Sequence, residues 1–170
     1  YREGNAAQAI DYIDEALRIQ DRADFYIFRA FVHKEEMNFR DAIRDCNEAI
    51  KRESGHARVF ALRGDIYLAQ RQYQRALRDY RKAISIFPGY REVHIERGRI
   101  FMTLEEYGRA REAFSRAIEL KPEDPHGYEL RARALFELGE VGLAKADLAV
   151  CREAGGEPSE ALAYRIEQAQ

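Results

Sequence analysis

The chain has 170 residues, 46% of them hydrophobic, which is enough for one compact domain or one continuous repeat array and argues against disorder. With 28 basic and 30 acidic residues the net charge is −2, so nothing draws the molecule as a whole to nucleic acid or to an anionic bilayer. Cys46 and Cys151 show no CxxC spacing and read as small core residues, no apolar run approaches the roughly 18 residues that span a bilayer, and Tyr1-Arg2-Glu3-Gly4 opens without an apolar signal core, so a water-soluble domain is expected.

The first element, residues 5–20, is one helix with Ala9, Ile13 and Ala16 on one face. From residue 23 onward the sequence superimposes on itself, without a gap, at a shift of 34 residues, giving units 23–56, 57–90, 91–124 and 125–158. Numbered within each unit, position eight is small (Ala30, Gly64, Gly98, Ala132), as is position twenty (Ala42, Ala76, Ala110, Ala144). Position twenty-seven is also small (Ala49, Ala83, Ala117, Cys151). Position four is mostly aromatic (Tyr26, Phe60, His94, Tyr128), and position seventeen is bulky (Phe39, Tyr73, Tyr107, Val141), as is twenty-four in three of the units (Cys46, Tyr80, Phe114, Leu148). Within unit 57–90 the apolar residues Phe60, Tyr67 and Leu68, then Leu77, Tyr80, Ala83, Ile84 and Phe87, keep helical spacing in two halves. Each half is predicted to be an amphipathic helix of about three to four turns. Gln70-Arg71-Gln72 breaks the unit in the middle, and Phe87-Pro88-Gly89 or Lys121-Pro122-Glu123 ends it, because proline lacks the amide an ongoing helix would use. Ser159 is expected to cap a last helix with Leu162, Ile166 and Ala169 on one face.

Small residues at eight, twenty and twenty-seven, aromatics at four, eleven, seventeen and twenty-four, and proline at thirty-two resemble the tetratricopeptide repeat (TPR) family. The resemblance implies an all-α fold, a right-handed superhelical solenoid of antiparallel helix pairs. Residues 1–170 then form a single repeat domain: a partial repeat 1–22 holding only a second helix, the four full repeats, and a C-terminal capping helix 159–170. Ala9, Ile13 and Ala16 take slots twenty, twenty-four and twenty-seven, with a first junction one residue short of the period, because Ala9 and Ala42 are 33 residues apart. The missing first helix leads us to expect a piece of a longer protein.

Position seven is Arg29, Arg63, Arg97 and Arg131, and position twenty-three is Asp45, Asp79, Ala113 and Asp147, so repeated helix-to-helix ion pairs are expected. The resemblance implies a protein or peptide partner on the concave surface lined by first helices, at positions two, five, nine and twelve. These read Asp24, Ile27, Phe31 and Lys34; Arg58, Ala61, Asp65 and Leu68; Glu92, Ile95, Arg99 and Met102; and His126, Glu129, Arg133 and Phe136. Ile27, Phe31, Ile95, Met102 and Phe136 could receive apolar anchors, while Arg58, Arg99 and Arg133 could fork onto carboxylates; the competing reading covers helix seams with some of these and leaves the arginines solvated. The family's clamp for chaperone C-terminal tails requires lysines, asparagines and an arginine where this chain has Ile27, Phe31, Leu62, Glu92 and Glu96, or, one unit later, Ala61, Asp65, Glu96, His126 and Leu130. Such a tail is disfavoured.

Arg71, Arg75, Arg78 and Lys82 share a helical face near Tyr73 and Tyr80, but read as the solvated side of a second helix, so no nucleic-acid partner is expected. Neither a phosphate loop, a nucleophile elbow nor a metal-binding histidine pair occurs, and His33, His56, His94 and His126 are scattered. We therefore expect no enzyme, cofactor, metal site or membrane association, with homo-oligomerisation through exposed terminal helices, or a role as the regulatory segment of a larger enzyme, as the alternatives to partner binding.

Overall fold

The computed structural model describes residues 3–169; Tyr1 and Arg2, at the start of the expected partial repeat, lie outside them, as does Gln170. Among the described residues the secondary structure is ten helices: α1 (Glu3–Ile19), α2 (Ala23–Glu35), α3 (Phe39–Arg52), α4 (Ala57–Ala69), α5 (Tyr73–Ile86), α6 (Arg91–Thr103), α7 (Tyr107–Leu120), α8 (Pro125–Glu137), α9 (Val141–Glu153) and α10 (Glu160–Gln168). The first helices α2, α4, α6 and α8 start at Ala23, Ala57, Arg91 and Pro125, one 34-residue period apart. The fold is an all-α helical repeat of the solenoid class. Three residues join α1 to α2, where four join α3 to α4 and α7 to α8, which is the one-residue shortening the sequence carries.

Second helices bury a single edge, as Ala42, Asp45, Cys46 and Ala49 do in α3, because the three- and four-residue steps keep those side chains on one face. The first helices α4, α6 and α8 bury more of their circumference, as α4 does with Val59, Phe60, Ala61, Leu62, Gly64 and Ile66, whereas α2 buries only Ala23, Ile27 and Ala30. Positions eight and twenty-four fit by size. Gly64 lies against the Tyr80 ring and Gly98 against that of Phe114, whereas alanine stands at position eight where twenty-four is the smaller Cys46 or Leu148.

The turn inside each repeat places position fifteen in the left-handed region, at Met37 (φ 58), Arg71 (φ 57), Glu105 (φ 59) and Gly139 (φ 78). The following amide then donates to the carbonyl of position eleven, as Gln72 does to Tyr67 and Glu106 to Phe101, both at 2.8 Å. This bond recovers an orphan carbonyl at the helix end and offsets a left-handed cost of about 1–2 kcal/mol for a residue other than glycine.

Backbone contacts divide the chain into two compact units, one ending at Pro88 and the other starting at Gly89. In the first, α1 to α5 enclose a core in which Ala30, Cys46, Ile66 and Tyr80 are fully buried. In the second, α6 to α10 enclose Phe114, Ala117 and Leu148, and α10 lays Leu162, Ala163 and Ile166 on Ala132, Leu135, Ala144 and Leu148. Ser159 occupies the N-cap position of α10 without the expected side-chain cap. Its own amide donates to Glu129 Oε1 (3.2 Å), which satisfies one donor at the helix start.

Candidate functional site

Three of the four position-seven arginines are consumed by the frame. Arg63 Nε and Nη2 donate to Asp79 Oδ2 and Oδ1 at 2.7 and 2.8 Å, and Arg131 forks onto Asp147 at 2.8 and 2.7 Å. Arg29 does the same with the fully buried Asp45, at 2.8 and 2.7 Å. These are the pairs the sequence predicts, and the carboxylates hold the Arg29, Arg63 and Arg131 pKa values above the ordinary arginine value. The third nitrogen of each fork reaches back to position twenty-five of the preceding second helix: Arg63 Nη1 to Asn47 Oδ1 (2.6 Å), Arg131 Nη1 to Ser115 Oγ (3.1 Å), and Arg29 Nη1 to Asp14. Sequence reasoning missed these partners, although short polar residues recur there. In the third repeat Arg97, facing a unit whose position twenty-three is Ala113, lies 5.7 Å from the Phe101 ring.

The candidate binding positions sort differently in each unit. In the first, Ile27 is 4% exposed and Ala61 is also buried, so both belong to helix seams, while Phe31 is 42% exposed. Lys34 sits over the Phe31 ring (5.6 Å) and donates to Glu35, and Arg58 lies 5.8 Å from the Phe28 ring. Asp65 accepts the Tyr80 hydroxyl at 2.7 Å; burial raises its pKa, against that hydrogen bond and the positive charge of Lys34. Leu68 is half-buried.

In the second unit Ile95 is 6% exposed and likewise a seam residue; burial corrects its assignment, and that of Ile27, as apolar anchors, since neither offers surface to a partner. Glu92 and Arg133 are exposed and Met102 half-buried. Arg99 Nη1 donates to Glu96 (3.2 Å) and Nη2 lies 3.1 Å from His126 Nε2. Because a guanidinium only donates, this contact makes Nε2 the acceptor and leaves the imidazole proton on Nδ1, which is 4.0 Å from Glu129. Phe136 packs against the α10 cluster beneath Arg165 (4.8 Å). Of the basic stripe, Arg71, Arg75, Arg78 and Lys82 are exposed, whereas Tyr80 is wholly inside.

Two family profiles described as tetratricopeptide repeat match the sequence, one over residues 35–91 and one over residues 67–134. No curated protein matches it. Among solved structures, MamA superimposes with a TM-score of 0.82 at 18% identity, covering 90% of each chain. PilF of Pseudomonas aeruginosa does so at 0.84 and 23%, covering 98% of this chain and 78% of its own. YrrB, described as a TPR protein with an unusual peptide-binding site, gives 0.76 at 16%, covering 97% of this chain and 84% of its own. At these identities the likeness is one of fold.

Proposed function

Because this chain belongs to the tetratricopeptide repeat family, we propose that it is a protein-interaction scaffold that takes a partner peptide or protein on the first-helix face of each unit. The carrying observation is a division of labour among arginines. Three of the four at position seven, Arg29, Arg63 and Arg131, are forked onto internal aspartates, whereas Arg58 and Arg133 have no carboxylate partner among the described residues and face solvent. Exposed Arg58 and Arg133, with the exposed Phe31 and the half-buried Met102 among the first-helix positions, suit a partner that combines carboxylates with apolar anchors. The peptide site named for YrrB supports this use of the fold.

We assign the chain no catalytic step of its own. The Cys46 thiol is buried and its pKa is pushed up to about 12, and burial also raises that of Cys151, which leaves both poor nucleophiles. The test is peptide-library panning on the wild-type chain and on a Phe31→Asp/Arg99→Glu/Arg133→Glu variant of equal helicity. Enrichment of acidic, apolar-anchored peptides on the wild type alone supports the reading; equal enrichment on both chains removes it.

A further inference from the structure

A cleft of about 350 Å³ in the first unit is lined by Arg63 and Tyr67 of α4 and by Arg75, Arg78 and Asp79 of α5. These are positions seven, eleven, nineteen, twenty-two and twenty-three. The same five positions, as Arg131, Leu135, Leu143, Ala146 and Asp147, help line a cleft of about 280 Å³ in the fourth repeat. The cleft is thus a product of the repeat, and what varies is its charge. Both Asp79 oxygens accept from Arg63, so that pair is neutral, and Arg75 and Arg78 leave the cleft of the second repeat with two positive charges. Arg75 lies 5.6 Å from the Tyr67 ring and donates to Gln72 Oε1 at 2.9 Å, contacts that hold it in place without neutralising it. Arg78 is exposed and pairs with no carboxylate among the described residues.

The other repeats supply the missing acid themselves. In the first, position nineteen is Asp41, which pairs with Arg44 at position twenty-two (2.9 Å). In the third, Arg109 lies over the Phe101 ring as Arg75 lies over Tyr67, but the position-sixteen residue it binds is Glu106, and position twenty-two is Glu112. In the fourth, nineteen and twenty-two are uncharged, and Glu140 at sixteen accepts from Arg111 (2.8 Å). Only the second repeat combines cations at nineteen and twenty-two with a neutral residue, Gln72, at sixteen. Helix α5 also starts with neither a side-chain cap nor an acidic residue in its first turn, the turn that carries Arg75. The positive end of the helix therefore adds to the charge of the cleft.

We propose that this cleft binds a phosphate monoester dianion, carried by a small molecule or by a phosphorylated side chain. At neutral pH a monoester bears a charge of about −1.5 to −2, which matches the two cations, and its three terminal oxygens accept from the guanidinium forks. A carboxylate brings a single charge. A phosphodiester backbone is a line of single charges, which a cleft at the small end of the range of about 300–1,000 Å³ for ligand sites does not follow. None of the lining residues stands at position two, five, nine or twelve, so this inference and the partner-binding reading above can fail separately.

The test follows the arginine Nε–Hε signals of the full 170-residue chain by NMR while glycerol 2-phosphate is added at constant ionic strength, with acetate as the control anion. We expect saturable shifts at Arg75 and Arg78, and binding weakened about tenfold by Arg78→Gln, an exposed site that leaves folding intact. Gln72→Glu removes no cation but puts back the acid of the third repeat, and should weaken binding as much. Arg81→Gln, exposed on the same helix but outside the cleft, should leave it unchanged. Binding should also fall as pH drops through about 6, where the monoester loses its second charge. A short phosphoserine peptide that binds more tightly than glycerol 2-phosphate assigns the site to a phosphorylated chain, and equal affinity assigns it to a small monoester; both uphold the shared chemistry. Absence of saturation at tens of millimolar, an equal response to acetate, or an equal loss with Arg81→Gln overturns the proposal. So does a single-stranded oligonucleotide that binds more tightly than the monoester and is indifferent to Gln72→Glu, because a diffuse basic face then does the binding.

Discussion

Replacing Gly64 with alanine sets helix propensity against packing. Propensity alone favours the change by about 1 kcal/mol in a helix interior. The added Cβ, however, would lie 2.5 Å from Tyr80 Cε1 and 2.7 Å from Cδ1, where carbons ordinarily rest at about 3.5–4.0 Å. Tyr80 is fully buried, and its hydroxyl is bound to Asp65 at 2.7 Å, so the ring is pinned at its far end and cannot swing clear. Overpacking of this kind costs about 1–3 kcal/mol, with the upper half expected here, which leaves a net loss of about 1–2 kcal/mol. For a chain of this length that lowers Tm by about 2–8 °C. The assay is thermal and urea unfolding of Gly64→Ala, Tyr80→Leu and the double variant. In the Tyr80→Leu background the pair becomes the Ala/Leu combination of Ala132 and Leu148, so Gly64→Ala should turn from destabilising to stabilising. A rise in Tm for Gly64→Ala in the wild-type chain, or the same shift in both backgrounds, would refute the size-matching argument.

Arg63→Met strands the Asp79 carboxylate, 7% exposed, and should cost about 3 kcal/mol, while Arg63→Met/Asp79→Leu recovers most of the loss; urea melts decide, and an unchanged single variant removes the ion-pair frame. Burial raises the folded-state pKa of Asp65, so the folded chain holds that proton more tightly than the unfolded one, and ionisation costs stability as pH rises from the ordinary aspartate range through the raised value. Asp65→Asn should therefore be the more stable protein at neutral pH, with the gap closing below the ordinary aspartate range; a gap constant with pH contradicts this. Iodoacetamide at about pH 8 should label neither Cys46 nor Cys151 in the folded chain and both in denaturant, and rapid native labelling of Cys46 would show that its burial is wrong.

The repeat was legible because helical periodicity reports which face of a helix is inside, and here it does so four times. Small residues at eight and twenty, the bulky residues opposite them, and the Arg29–Asp45, Arg63–Asp79 and Arg131–Asp147 pairs all lie within one repeat, where a fixed spacing along the chain translates into a fixed distance in space. The two glycines at position eight face the two largest residues at twenty-four, a correlation present in the sequence and explained by the packing of Gly64 on Tyr80.

What the sequence by itself determined is therefore the fold class, the 34-residue step, the helix pairs and the frame of arginine–aspartate forks. Tertiary structure decided whatever depends on a neighbour outside the repeat. Ile27 and Ile95, placed among the candidate anchors, are enclosed by adjoining helices, whereas Phe31 stays exposed. The Asp14, Asn47 and Ser115 partners come from preceding helices. Met37, Arg71 and Glu105 adopt left-handed turns that residue type alone does not announce, because each is held by hydrogen bonds back to the helix it ends. Periodicity specifies a helix face, but whether that face is covered depends on long-range contacts that no local spacing records.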